Sequence, residues 1–252
     1  DLTLVYQTSG NLAVPDTEVR RAIELNIELG EKLHFGEELK FAQAVMEQLE
    51  SKGLYGEDTL DLRTMKGIIR RGEARSSARM LEIDPSALRF LDLPFYETGR
   101  YRRFKASEED VSKLVALLEE IQPHQIFATG QGHDPLSVPA LCFEILLAAL
   151  ERCADAEWLK DCWIWLYRGP GVEWEVHEID MAVPLSPDEL DFKIKGIYQH
   201  QTQRSQSPSG IGQDVHDSWA LARELNRATA KVYDALGLSE YEAIEGFKLY
   251  QR

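Results

Sequence analysis

The chain has 252 residues, 44% of them apolar and 28% charged, and 43 acidic against 28 basic side chains give a formal net charge of −15. That length suffices for one sizeable α/β domain, and the acidic balance argues against a nucleic-acid partner, whose phosphates demand clustered Lys and Arg. No apolar run reaches the roughly 18 residues of a membrane span, and three cysteines without C-x-x-C spacing suggest neither a zinc ribbon nor a disulfide framework, so a cytoplasmic compartment is the expectation.

In chain order, the apolar run at the start predicts a strand that stops at Ser9-Gly10-Asn11. Pro15-Asp16 opens a helix with Val19, Ile23, Ile27 and Leu33 on one face, and a second helix covers Glu37 to Lys52, with Gly53 as its stop. A third, rich in Arg, Ala and Ser, runs from about Asp61 to Leu81. Strands at 88–94, 124–130, 162–169 and 174–184 then alternate with helices at 107–123 and 138–153, the first of these opened by a Ser107/Asp110 capping box. Three helices close the chain, over Pro187 to His200, Asp214 to Leu236 and Ser239 to Tyr250. Alternation of this kind predicts an α/β fold: a Rossmann-like, mostly parallel sheet with helices on both faces, in a single domain over 1–252.

In such a sheet ligands bind beyond the carboxyl ends of the strands. That rule puts Thr8 to Asn11, Asp92 to Tyr96, Gly130 to Asp134 and Arg168 to Gly171 on one rim. On it, His133 and Asp134 could ligate a metal or bind a polar substrate, or Asp134 could simply cap the next helix. Arg70 and Arg71 could clamp a phosphate or sugar hydroxyl, or form a solvated face paired with Glu73. His200 stands at a helix end, where the macrodipole favours a cationic imidazole. The alternating Trp163, Trp165 and Tyr167 could form a sugar platform, but burial against a helix or partner chain is the better expectation. Cys142 and Cys153 are expected to be inert, buried thiols. No two histidines stand three or four residues apart, and neither a G-x-S-x-G elbow nor a phosphate-binding glycine loop is present.

Several stretches carry a resemblance: "RRGEARSSARMLEID", "LRFLDLPFYETG", "EEDVSKLVALLEEIQPHQIFATG", "YQHQTQ" and, most specifically, "DCWIWLYRGPGVEWEVHEIDMAVPLSPDEL". Together they resemble the PIG-L/LmbE-type zinc-dependent N-deacetylases, and more narrowly the LmbE-like C-terminal half of bacterial glucosamine-6-phosphate deaminase-like fusion proteins. The resemblance implies a Rossmann-like sheet and removal of an acyl group from an amino sugar by a zinc-bound water, with an Asp as base. It also implies two ligand motifs, and this chain departs from both. His-Pro-Asp-Asp is absent, so the family's first strand, loop and helix would lie before Asp1. The later histidine positions read Leu136 and Pro139, neither of which can hold zinc. The expectation is therefore an amino-sugar domain without deacetylase activity, serving assembly or sugar binding through Asn11, Arg70, Arg71, His133, Asp134 and His200, with zinc not expected. The competing expectations are an active metal-dependent N-deacetylase acting on N-acetylglucosamine-type sugars, or a part of a glucosamine-6-phosphate deaminase fusion. The expected partners are an amino sugar or sugar phosphate, and a fused deaminase domain or a homo-oligomer, with no nucleic acid and no membrane.

Overall fold

A computed structural model describes residues 1–34, 36–53, 56–98, 104–129, 137–169, 172, 174–203, 218–238 and 240–251. Its strands are β1 (Leu4–Tyr6), β2 (Leu88–Phe90), β3 (Gln125–Thr129), β4 (Trp163–Tyr167), β5 (Met181–Leu185) and β6 (Ala243–Leu249). The helices are α1 (Asp16–Leu33), α2 (Gly36–Ser51), α3 (Leu60–Met80), α4 (Pro94–Thr98), α5 (Glu108–Ile121), α6 (Val138–Arg152), α7 (Glu157–Lys160), α8 (Pro187–Tyr198) and α9 (Ser218–Ala235). No described helix is long and apolar enough to cross a membrane.

Local chemistry sets the helix ends. Ser107 and Asp110 cap α5 reciprocally, Ser186 and Glu189 do the same for α8, and the Ser137 hydroxyl accepts from the Ala140 amide at the start of α6. Pro139 and Pro187 sit in first turns, where the missing N–H is no loss.

The strands form two pieces. β1 pairs with β2 in parallel, and β3 pairs with β4 in parallel within a four-stranded sheet of order β3-β4-β6-β5. β6 runs antiparallel to both β4 and β5. The fold is the expected α/β one with helices on both faces; the expected mostly parallel sheet is instead mixed, two of the four described pairings being antiparallel, and three local expectations are corrected. The segment expected to be a helix from Ser239 forms β6 instead, because Ala243, Glu245 and Phe247 find partners on β5, and long-range pairing outweighs local spacing. Of the strand expected at 174–184, only the end is strand, since Val176–Glu178 turns as a 3-10 helix whose Glu178 carboxylate accepts from the Glu175 amide. Leu33 does not share the inward face of Val19 and Ile23. It is 55% exposed, because Gly30 already meets Leu39 of α2 and the last turn of α1 passes beyond that packing.

The main core lies under one face of β3 and β4, where Ile126, Ala128, Ile164 and Leu166 meet α5 and α6. Ala74 and Ala78 of α3 pack on Leu4, Tyr6, Leu88 and Phe90. Cys142 and Cys153 are buried within the main core, as expected of inert thiols.

The α1–α2 hairpin is tied to α3 by a ring of four charges. Lys52 and Lys66 each donate to both Asp16 and Asp58, at 2.7 to 2.9 Å. Burial by itself would raise the two carboxyls, but the lysine hydrogen bonds outweigh it and hold both below the usual 3.8. A carboxyl depressed in this way stabilises the fold above about pH 4 and loses that contribution as pH falls below it. Lys66 is 5% exposed, so Lys66→Met leaves two carboxylates facing one cation. Urea unfolding should show a loss of about 3 kcal/mol at pH 7 and a clearly smaller loss at pH 3; equal losses would show that the ring does not titrate with the fold.

Candidate functional site

The carboxyl ends of β1, β3 and β4 open on one cleft of about 1200 Å³. Gln7 to Gly10, Thr129, Arg168 and Gly169 line it together with Arg70 and Arg71 of α3 and Val138, Pro139 and Cys142 of α6. Of the expected rim, Thr8 to Gly10 and Arg168 to Gly169 line the cleft, whereas Asn11 and Asp92 to Tyr96 do not. His133, Asp134 and Leu136 lie outside the described residues, while Thr129 and Val138 on either side of that segment both reach the cleft.

Gly10 makes the turn after β1. Its φ of +66° is the left-handed region, and a Cβ there would stand 2.9 Å from Arg70 Nε, so glycine lets α3 close on the strand end. Behind it, Asn11 is 2% exposed, and its side-chain amide donates to both Glu97 oxygens at 3.2 and 2.9 Å. The Ser9 hydroxyl donates to the same carboxylate at 2.5 Å. Asn11 thus holds the strand end to α4 and does not line the cleft.

Arg70 and Glu73, one turn apart on α3, do not form a solvated face. Their side chains are 19% and 10% exposed and are joined at 2.6 Å. Glu73 also accepts from the Thr202 amide at 2.7 Å and the Thr202 hydroxyl at 2.9 Å. Gln203 completes the lock by donating to the Ala13 carbonyl at 3.2 Å. The segment after α8 is in this way sewn to α3 and to the turn after β1. Arg71 lies alongside, paired with Asp92 and stacked 5.4 Å from the Phe90 ring.

In side chains that line the cleft, Arg70 Nε, Arg71 Nε and Gln7 Oε1 are buried with no hydrogen-bond partner among the described residues. The exposed parts of the two guanidinium groups, on side chains 19% and 37% exposed, are what this wall offers to an oxygen-rich ligand.

His200 is half-buried, and its Nδ1 is shut off from solvent without a partner among the described residues. Burial first, then the Arg70 charge, pushes its pKa below the usual 6.5, so the cationic imidazole expected at a helix end is corrected to a neutral one. It faces a separate cavity of about 300 Å³ between α3 and α8, lined also by Ser77, Leu81 and Lys193. For the aromatic strand, the half of the expectation that placed a helix over it is not met among the described residues: Trp163 and Tyr167 are 53% and 41% exposed, and α8 and α9 cover only the β5–β6 end of that face.

At the carboxyl ends of the strands the described cleft residues offer no converging donors to the zinc of the resembled deacetylases, Asp1 and His124 standing at the opposite, amino ends of β1 and β3. Pro139 occupies the first turn of α6 and offers nothing to a metal. Cys142 lines the cleft, but burial and then Asp110 push its thiol up to about 12, so it stays protonated. Among the described residues no three His, Cys, Asp or Glu side chains converge as a metal site.

Sequence reasoning found Arg70, Arg71 and the rim but missed Glu73, Thr202 and Gln7 as parts of it. The signal for the first two was a Glu one turn after Arg in "RRGE" and the polar run "HQTQ", whose meeting is visible only in three dimensions.

No family model matches the chain. The chain is 42% identical over 256 residues, 99% of its own length, to a protein of Bacteroides thetaiotaomicron named glucosamine-6-phosphate deaminase-like. It spans only 38% of that relative. Among solved structures, a conserved protein of Thermus thermophilus superposes with a TM-score of 0.51 at 15% identity, over 73% of this chain and 74% of its own. An N,N'-diacetylchitobiose deacetylase of Pyrococcus horikoshii aligns with a TM-score of 0.47 at 21% identity, over 79% of this chain and 70% of its own.

Below pH 6.5, protonation of His200 opposes folding, so the stability its neutral form provides is full above that pH and is lost as pH falls. Calorimetry at pH 7.5 and 5.5 should show a larger fall in Tm for the native protein than for His200→Gln. Equal falls would place the imidazole in solvent.

The chain shares the α/β fold of the Thermus thermophilus conserved protein, and in sequence it is the counterpart of a segment making up 38% of a glucosamine-6-phosphate deaminase-like relative.

Proposed function

We propose that the chain binds an amino sugar or its phosphate at the mouth of the cleft, as an assembly or sugar-sensing domain, without hydrolysing the N-acyl group. The observation that carries this reading is that the part-exposed side chains of Arg70 and Arg71, 19% and 37% exposed, line the cleft together with Gln7. Arginine donors suit phosphate and sugar oxygens, and a carboxamide oxygen suits an amino or hydroxyl donor, the mixed pattern of an amino-sugar phosphate. His133 and Asp134 belong to the same proposal, as polar groups in the stretch of sequence between Thr129 and Val138. His200 supports the rim from behind as a neutral imidazole. The family's ligand positions, Leu136 and Pro139, favour binding over metal-assisted hydrolysis. The deaminase-like name of the longer relative supports an attached deaminase region that would share the same ligand.

Titration calorimetry with glucosamine 6-phosphate and N-acetylglucosamine 6-phosphate tests the reading. Binding of one or both is expected, and Arg71→Gln should weaken it about tenfold, the ~1.4 kcal/mol of a charge-assisted hydrogen bond. Arg71 is chosen because it is one-third exposed and its loss leaves the Arg70–Glu73–Thr202 lock intact. Zinc-dependent release of acetate from N-acetylglucosamine 6-phosphate, abolished by Asp134→Asn, would overturn it in favour of an active deacetylase.

A further inference from the structure

One short turn joins the cavity between α3 and α8 to the mouth of the cleft. The Ser77 hydroxyl of α3 donates to the Gly196 carbonyl at 2.9 Å and pins the last turn of α8. Beyond it Gln201–Gln203 form a 3-10 turn, closed by the Gln203 amide donating to the His200 carbonyl at 3.1 Å. The far end of this turn is the lock on α3. Thr202, 4% exposed, gives its amide and hydroxyl to Glu73, and its hydroxyl accepts from Arg70 at 3.3 Å. The near end is His200, whose ring lines the cavity. A displacement of the imidazole is therefore carried to Thr202 within a single turn of backbone.

The ring sits where only its neutral form fits. A neutral imidazole can keep its one hydrogen on Nε2, whereas an imidazolium carries one on each nitrogen. Nδ1 is shut off from solvent and has no partner among the described residues, so a cationic ring would bury a donor with nothing to accept it. Burial first, and then repulsion by Arg70, outweigh the attraction of Glu73 and keep the ring neutral below its usual 6.5. On the α8 side of the cavity, Lys193 is bound to Glu245 and Asn226. Glu189, also on α8, is held below the usual carboxyl range by hydrogen bonds from the Ser186 amide and hydroxyl, so it keeps its charge near neutrality.

We infer that the turn at 199–203 is a proton-sensitive latch on the cleft: protonation of His200 expels the ring from its seat, draws Thr202 off Glu73 and releases Arg70 from its fixed place at the mouth. Linkage sets the direction. A ring that holds its proton more weakly in the seat than in water favours the closed latch above pH 6.5 and the open one as pH falls below it. The opening is confined to the turn, because Ser77 still pins α8 and the packing of Ala74 and Ala78 on Leu88 still holds α3. The consequence for a ligand, weaker hold on an oxyanion at acid pH, rests on the binding proposed above; the latch itself does not.

Amide hydrogen exchange at pH 7.5 and 5.5, corrected for its intrinsic dependence on pH, tests the latch without a ligand. The Thr202 amide should lose at least about tenfold in protection at pH 5.5, and the Arg70 Nε–H should exchange faster with water. The Tyr250 amide, bonded to the Ile164 carbonyl at 2.9 Å in the main core, should lose clearly less. In His200→Gln, neutral at both pH values, Thr202 should keep one level of protection. Unchanged protection of Thr202 in the native protein, equal losses at Thr202 and Tyr250, or the native loss persisting in His200→Gln would each overturn the latch. Calorimetry with N-acetylglucosamine 6-sulfate, whose charge is constant over this range, then reads the cleft. Binding at least about threefold weaker at pH 5.5 is expected for the native protein, and equal binding for His200→Gln. Equal binding at both pH values in the native protein would overturn the coupling to the cleft, whereas binding at neither would count against the proposed ligand alone.

Discussion

The carboxylate of Glu73 is the point on which the rim depends. It is nearly buried and takes hydrogen bonds from Arg70 on its own helix and from the amide and hydroxyl of Thr202, 129 residues later. A buried charge is tolerated only when it is paired and hydrogen-bonded, so this contact fixes where both partners stand. With one Nη of Arg70 committed to Glu73, its Nε is left at the strand turn, where only glycine at position 10 admits it. The geometry of the cleft mouth follows from one carboxylate and one left-handed glycine.

The same economy bears on the chemistry. A rim of arginine and carboxamide groups recognises oxygen-rich ligands, whereas hydrolysis by a bound metal needs converging deprotonated donors. From α6 the cleft receives apolar Val138, Phe143 and Leu146, a proline in the first turn and a thiol held protonated by burial. These groups favour recognition. The charge ring of Lys52, Lys66, Asp16 and Asp58 lies apart from the cleft and fastens the α1–α2 hairpin to α3, the helix that carries Arg70 and Arg71.

Much of the fold was legible in the sequence because it is locally encoded. The Ser107–Asp110 box, the Pro139 first turn and the apolar strands around Phe127 and Ile164 each announce themselves within a few residues. What was not legible depends on distant partners. The segment at 243–249 carries no mark of the strands on either side of it, and its helical spacing gave way to pairing with β4 and β5. Glu73 looked like one member of a surface ion pair because Thr202 is invisible from α3 in sequence. His200 looked cationic from its place at a helix end, and only burial beside Arg70 shows it neutral. For Trp163 and Tyr167, alternation correctly gave a shared face, but not that the described helices leave it open.

The most direct test of this account is the NMR resonance of the Arg70 side-chain Nε–H during titration with glucosamine 6-phosphate. The account predicts a saturable shift of that resonance, reporting a ligand oxygen bound by the guanidinium that Glu73 and Gly10 hold at the cleft mouth. A resonance that stays fixed while the sugar phosphate saturates the protein, or a protein that never saturates, would contradict it.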